Sequence, residues 1–374
     1  MSSTESKLRK IHVFPSEDIY KTNIESVGEN DLALIPIPLM RIVMAHTPAY
    51  FNRYDLPTVT KTTITIPSGM LININDSGYE LKFSVTLDTD SVGTASERAG
   101  RDVYLYALQP EIGTEPQFVL SFNSTVPDGY TASNSRKIGG FHCLCVDVGT
   151  IADHPLSGYV AGDILPASVW DLKHRAKGTQ DGMVCGRDGV WKGIYLASWD
   201  GTKLVSAYGG VCADGASTKK WHGELFAYQL STQKDRLLKR DEFMVDAYGS
   251  NEGTTISGAK DWNTTGGHVD TANRRMISDI GMEDCCGFMW QWCYEVVGAG
   301  GSEWTDSVYN SGVDDKKRGQ TYGNLYRLLA GAYWGDGSSC GSRAVALNAV
   351  SARVYSRYGG RLASEPLVDG LHGL

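Results

Sequence analysis

Residues 331–343 read Gly-Ala-Tyr-Trp-Gly-Asp-Gly-Ser-Ser-Cys-Gly-Ser-Arg, and the chain draws to its close on Gly359-Gly360-Arg361. Between these two blocks, Asn348, Arg353, Tyr355, Arg357 and Tyr358 stand among Ser, Ala and Val without the apolar period of a helix or of a strand core. Tyr, Trp and Arg supply large contact area at low entropic cost, and Ser, Gly and Asn supply adaptable hydrogen bonds, which is the composition of a recognition surface. The aromatic-rich edge of an ordinary core has the same composition, so both readings stand on composition alone.

Upstream, all nine Trp lie at or after Trp170 and all eight Cys at or after Cys143, so two differently built halves follow. In the first half, Thr58 to Ile66, Tyr79 to Leu87, Asp102 to Leu108 and Gln117 to Ser121 are short β-branched or aromatic runs between turn clusters. That spacing predicts a β-rich, sandwich or barrel-like region over 46–136, with Ser121 to Lys137 as a polar connector. Residues 1–45, whose apolar run from Asp18 to Met44 can pair with a neighbouring chain, read as an attachment or oligomerisation segment. Residues 137–374 form the second domain, where helices are expected over Pro166–Arg175 and Asp241–Tyr248 among short strands and Gly-rich loops.

A chain of 374 residues is long enough for two or three domains at roughly 150 residues each. Its Lys and Arg total 35 against 43 Asp and Glu, a net charge of −8 without a basic stripe, which excludes counterion-driven binding to nucleic acid. The richest basic stretch, Lys234 to Arg240, is broken by Asp235 and reads as a solvated face. Leu32 to Met40, interrupted by Pro36 and Pro38, is far short of the roughly 20 apolar residues of a membrane span. Polar Met1 to Lys10 is not followed by an apolar leader, so synthesis in a cytoplasm is expected.

The cysteines, Cys143, Cys145, Cys185, Cys212, Cys285, Cys286, Cys293 and Cys340, show neither a disulfide framework nor zinc knuckles and read as buried thiols. Cys143 and Cys145 beside His142 have the composition of a metal site, but the alternation from Phe141 to Val146 favours a strand with its small residues inside. Walker, zincin and dinucleotide-binding signatures are absent from the sequence. His154, His174, His222 and His268 are scattered among turn residues and read as structural or surface groups. Glu283-Asp284 before Cys285-Cys286 carries no redox reading, since vicinal cysteines bridge only through a strained turn, and Asp314-Asp315 before Lys316-Lys317-Arg318 reads as a self-neutralising turn. No catalytic residue, metal or cofactor is assigned.

Three segments in order resemble a known family. They are Leu237 to Phe243 running to Ala247-Tyr248-Gly249, Gly287 to Trp292, and Leu328 to Trp334 with Cys340-Gly341-Ser342-Arg343. Together they resemble the C-type lectin fold in its formylglycine-generating-enzyme branch, and the ending resembles the diversity-generating-retroelement variable proteins. That family's terminal pattern is Gly-Gly-x-Trp-x-x-Gly-x-x-Cys-Gly-Ser-Arg, a variable stretch and a closing Gly-Ala-Arg. This chain departs from it at Ala332 and Gly360, both small residues expected to fit a tight turn. The resemblance covers about 137–374 and implies an α+β C-type lectin fold for that part, with a variable region over about 331–361.

The resemblance implies displayed, ligand-contacting positions at Tyr333, Gly335, Asp336, Ser339, Ala346, Asn348, Ala349, Arg353, Tyr355, Arg357 and Tyr358. Trp290, Trp292, Gly331, Trp334, Cys340 and Arg343 would form the frame, with Arg343 as a strut for loop carbonyls. It also implies a phage or prophage receptor-binding protein on a virion tail tip or fibre. Such a protein attaches to a host cell-surface receptor, protein or glycan, associates with phage tail or fibre proteins, and forms a homo-oligomer, a trimer in the family's pattern. A bacterial surface adhesin of the same fold is the alternative. A formylglycine-generating oxidase ranks last, because its copper site needs two thiolates about five positions apart and here Cys340 stands alone, with Gly335, Asp336, Ala344 and Val345 where a second would be.

Overall fold

The computed structural model describes residues 57–75, 77–110, 115–258, 264–298, 300–305 and 321–367. The attachment segment expected over 1–45 and the Asp314–Arg318 turn lie outside the described residues. The chain divides into two units: a smaller one built mainly from Ile64–Leu87 and Tyr104–Gly139, and a larger one containing Val59–Thr63, Asp88–Val103 and everything from Gly140 onward. The main crossover falls at Gly139/Gly140, while two earlier segments also belong to the larger unit.

In the smaller unit, β1 (Leu71–Ile74) and β2 (Ser77–Glu80) form an antiparallel pair with Leu71 opposite Glu80 and Ile74 opposite Ser77. The run Thr63–Ile66 alternates half-buried Thr with fully buried Ile64 and Ile66, the period of a strand with one face on a core. The expected strand over Tyr79–Leu87 is broken: β2 ends at Glu80 and the next strand begins at Val85. β3 (Asp102–Leu108) pairs antiparallel with β4 (Gln117–Ser121), both with the ends expected from their β-branched and aromatic content. β5 (Ser135–His142) lies on the other side of β3, so the connector expected to reach Lys137 becomes strand at Ser135.

The larger unit carries β6 (Met183–Cys185), β7 (Trp191–Gly193), α1 (Gly223–Thr232), β8 (Arg236–Leu237) and α2 (Arg240–Asp246). They are followed by β9 (Trp290–Gly298), β10 (Leu325–Ala330), β11 (Val345–Val350), β12 (Tyr358–Gly360) and β13 (Leu362–Ser364). Two four-stranded sheets result, in the orders β11-β10-β9-β12 and β6-β7-β13-β8. β9 runs antiparallel to β10 and parallel to β12, with Trp290 opposite Tyr358 and Trp292 opposite Gly360.

Helix α2 forms where expected, over Arg240–Asp246, because the Glu242 carboxylate accepts the Lys239 N–H at 3.0 Å and caps the first turn while Phe243 buries inward. The helix expected over Pro166–Arg175 is only a 3-10 turn, Pro166–Ser168, followed by the strand Trp170–Asp171. The Asp171 carboxylate there accepts the N–H groups of Lys173 and His174 at 2.8 and 2.6 Å, a local turn that competes with helix. Helix α1 was not expected from the sequence. Its first residue, Gly223, lies so close to Trp292 and Arg327 that a Cβ would strike the Arg327 side chain, and Glu224 pairs with Arg327 at 2.8 Å.

Between these elements lies a core of Leu144, Val184, Ile194, Tyr195, Phe243, Ile277 and Met282, in which Cys145, Cys285, Cys286 and Cys293 act as small packing residues. Burial pushes the Cys143 and Cys285 thiols up to about 12, so they stay protonated.

Candidate functional site: the displayed face at the end of the chain

The stretch after β10 begins with two residues in the left-handed backbone region, Gly331 at φ 89° and Ala332 at φ 67°. Glycine is required at 331, because a Cβ there would strike the Cys285 carbonyl oxygen. A compact turn follows. Tyr333 N–H donates to Asp336 Oδ2 at 3.0 Å and Asp336 N–H to the Tyr333 carbonyl at 3.1 Å. The Cys340 thiol donates to the Tyr333 carbonyl at 3.6 Å, and burial pushes that thiol up to about 11. Ser342 Oγ donates to Glu252 at 2.7 Å. Trp334 packs on the buried cluster of Leu196, Cys212, Ile256, Met276, Phe288 and Met289.

The far end of the stretch returns to the same place. The Arg357 guanidinium lies over the rings of Tyr355 at 4.6 Å, Tyr333 at 4.9 Å and Tyr358 at 5.8 Å from their centroids. Arg353 lies 5.5 Å over the other end of this cluster, at Tyr355. Tyr355 meets Tyr358 edge-on at 5.2 Å, and Tyr333 meets Trp334 edge-on at 5.3 Å. The structure thus brings Tyr333, Arg353, Tyr355, Arg357 and Tyr358 together, and Gly335 lies where any side chain would run into the Tyr333 ring.

Gly335, Ser339, Asn348, Arg353 and Tyr355 are exposed, and Tyr333, Asp336, Ala346 and Arg357 are half-buried. Two positions expected to be displayed are not. Ala349, opposite Arg327 on β10, is 1% exposed. Tyr358 is buried because it begins β12 and packs edge-on against Trp292 at 5.2 Å. Among the frame residues, Trp292, Gly331 and Cys340 are buried and Trp290 and Trp334 half-buried.

Arg343 is exposed and is not the strut. That role belongs to Arg361, fully buried between β12 and β13. Its guanidinium donates to the carbonyls of Gly193 at 2.8 Å, Ile194 at 2.6 Å and Glu283 at 2.6 Å, and to Gln291 Oε1 at 3.0 Å. The sequence signal was the Arg closing the Gly359-Gly360-Arg361 block, and a single polar Gln between two Trp.

The described histidines are held by hydrogen bonds or burial, with His174 half-exposed beside Asp171. His142 sits 2.9 Å from Asp102 and 3.0 Å from the Tyr195 hydroxyl. Burial holds His154 and His222 below the ordinary imidazole value. For His268 burial acts in the same direction, but the Asp284 carboxylate at 2.9 Å outweighs it and its pKa is raised. Among the described residues no group of three or more His, Cys, Asp or Glu side chains is placed to hold a metal ion. No helix among them is long and apolar enough to cross a membrane. The arrangement offers a wide contact surface of rings, guanidinium groups and loop hydrogen-bonding groups.

A family model described as the Mtd second domain matches residues 55–171. The tail fiber receptor-binding protein of Bordetella phage BPP-1 is 29% identical over 331 residues, covering 82% of this chain and 80% of that protein. Among solved structures, the Major Tropism Determinant U1 variant matches with a TM-score of 0.70 at 26% identity over 86% of this chain and 87% of that one. The M1 variant matches with the same TM-score and identity over 86% of each chain. The chain therefore resembles the phage major tropism determinants, diversity-generating-retroelement variable proteins with a C-type lectin fold.

Proposed function

We propose, from the premise of that resemblance, that this chain is a phage receptor-binding protein whose last residues present a replaceable contact surface to a molecule on the host cell. The observation that carries the reading is the Arg357-centred cluster. Tyr333 and Tyr355, separated by the whole of β11, meet on one guanidinium, while Gly331, Trp292, Cys340 and Arg361 are buried. Substitutions at Ser339, Asn348, Arg353 or Tyr355 change exposed groups and leave that frame intact, which is what a diversified surface needs.

Displayed on a virion tail as a homotrimer, the face would be repeated, so weak single contacts would add up to firm attachment. The protein acts in this reading by binding and carries out no chemistry on its receptor. The experiment that tests it is adsorption. Purified protein should bind cells of a susceptible strain and block attachment of the virion that carries it, and Tyr355→Ala should abolish both effects. Sequencing the 3′ end of the gene in a population of its carrier should show substitutions at the exposed positions with Gly331, Cys340 and Arg361 fixed. Absence of cell binding, or a uniform 3′ end, would overturn the attachment and diversification parts respectively.

A further inference from the structure

We propose that the loop Asp214–Trp221, far from the variable stretch in sequence, supplies a constant cationic half of the displayed face, and that the partner it fits is a carboxylate-rich protein surface. This rests on the receptor-binding reading above and names the chemistry of its partner. The loop is bound directly to the end of the variable stretch. Gly215 N–H donates to the Tyr355 carbonyl at 3.1 Å and Gly223 N–H to the Ser351 carbonyl at 2.9 Å. At Gly215 the approach is so close that a Cβ would strike the backbone of Val354 and Tyr355.

The loop is built to hold its shape. Asp214 Oδ1 accepts the N–H groups of Ala216 and Ser217 at 3.0 and 2.7 Å and the Ser217 hydroxyl at 2.8 Å. Trp221 N–H donates to the Asp214 carbonyl at 3.0 Å, and the buried Trp221 ring packs between Trp199 and Phe226. Lys219 and Lys220 are left exposed, with the Lys219 ammonium 3.6 Å over the Trp199 ring.

Lys219, Lys220, Arg353 and Arg357 form no ion pair among the described residues, whereas the buried Lys192, Arg275 and Arg327 do. Together, the loop 214–221 and the stretch 331–361 contain only two carboxylates, Asp214, turned into its own loop, and Asp336, turned to the Tyr333 N–H, which the four cations outnumber. A chain of net charge −8 therefore presents a locally positive face. An arginine stacked flat on tyrosine keeps its in-plane N–H groups for a carboxylate, which it binds bidentately.

Two further features favour a polypeptide over an acidic glycan. Val354 and Tyr355, beside Arg353, are 41% and 42% exposed, a mixed apolar and aromatic contact typical of protein partners. Among the described residues β11 is an edge strand of its sheet, and a polypeptide can pair with such an edge through its main chain.

The test is the charge-reversal variant Lys219→Glu/Lys220→Glu, with Lys219→Gln/Lys220→Gln as a neutral control for folding. Wild type and variants are compared for binding to a susceptible strain and to sensor-bound poly-L-glutamate, from about 50 to about 200 mM salt. Wild type should bind both surfaces, with binding that weakens as salt rises; the reversal variant should lose about tenfold or more and the neutral pair less. Protease treatment of the cells should remove the sites, whereas periodate oxidation of their glycans should not. Unchanged binding by the reversal variant, or sites lost to periodate and retained after protease, would overturn the proposal while leaving the receptor-binding reading standing. Wild type that binds no cells would sink that reading itself.

Discussion

The side chain of Arg361 donates to Gln291 Oε1 at 3.0 Å, with both residues buried, at the point where the chain leaves β12 for β13. One guanidinium thereby ties the sheet that carries the displayed stretch to the carbonyls of Gly193, the last residue of β7 in the other sheet, and of Ile194 just after it. The tie explains how a loop surface is presented on a fixed base. β12 is short and parallel to β9, a pairing with little stability of its own, and Arg361 holds its end in place.

Arg361→Ala should destabilise the protein by at least about 3 kcal/mol, since it leaves several buried acceptors unpaired at about 1–3 kcal/mol each. Arg361→Lys should recover only part of this, because an ammonium cannot span the same fork of acceptors. Urea unfolding midpoints measure both, and an alanine variant within about 1 kcal/mol of wild type would remove the strut from the account.

Arg357→Ala should separate binding from folding. The ring contacts of a partly exposed guanidinium contribute about 0.5–1 kcal/mol each, so the thermal midpoint should fall by only a few degrees. Cell binding should fall by about thirtyfold or more, as for a central anchor of about 2 kcal/mol. Equal losses in stability and binding would make Arg357 a folding residue.

How far the sequence reached depended on the range of the interaction. β3, β4 and α2 were legible because their signals, β-branched runs and the helical spacing of Phe243, Met244 and Ala247, act within a few residues. Turn glycines and the burial of Cys340 were legible for the same reason. Long-range contacts were hidden: α1 starts where Gly223 meets Trp292 and Arg327, and Arg361 reaches Gly193 from the far end of the chain. The strut was assigned to Arg343, since nothing local distinguishes an arginine that points outward from one that points in. Ala349 and Tyr358 came from the family's pattern of displayed positions, which does not say which way each side chain faces here. A residue's side of a bulged strand, such as the β10/β11 pair, does not follow from simple alternation.

Ala332 is a small residue in a conformation suited to glycine, fully buried at φ 67°. Left-handed backbone costs a residue with a Cβ roughly 1–2 kcal/mol, of which glycine's extra unfolded-state freedom returns about 0.5–1. Ala332→Gly should therefore stabilise the fold by up to about 1 kcal/mol, and Ala332→Val should destabilise it more strongly. A glycine variant less stable than wild type would mean that the methyl group's packing outweighs the strain.

His268 gives a pH dependence whose sign is fixed by its partner. Burial lowers its pKa, the Asp284 carboxylate 2.9 Å away raises it more, and Glu283 adds to the rise against the nearby Arg275, so the folded value lies above the ordinary 6.5. Folding then favours the protonated ring. That stabilisation is fully present below 6.5, and it is lost as the pH rises through the folded pKa. His154 and His222, held low chiefly by burial, act in the opposite sense and weaken the fold as the pH falls below 6.5. The profile of wild type alone mixes these effects, so the informative quantity is the stability difference between wild type and His268→Gln. That difference should widen as the pH is lowered from about 8 to about 6, read from urea midpoints at each pH. A difference that stays constant across the interval would show that Asp284 does not set the charge of His268.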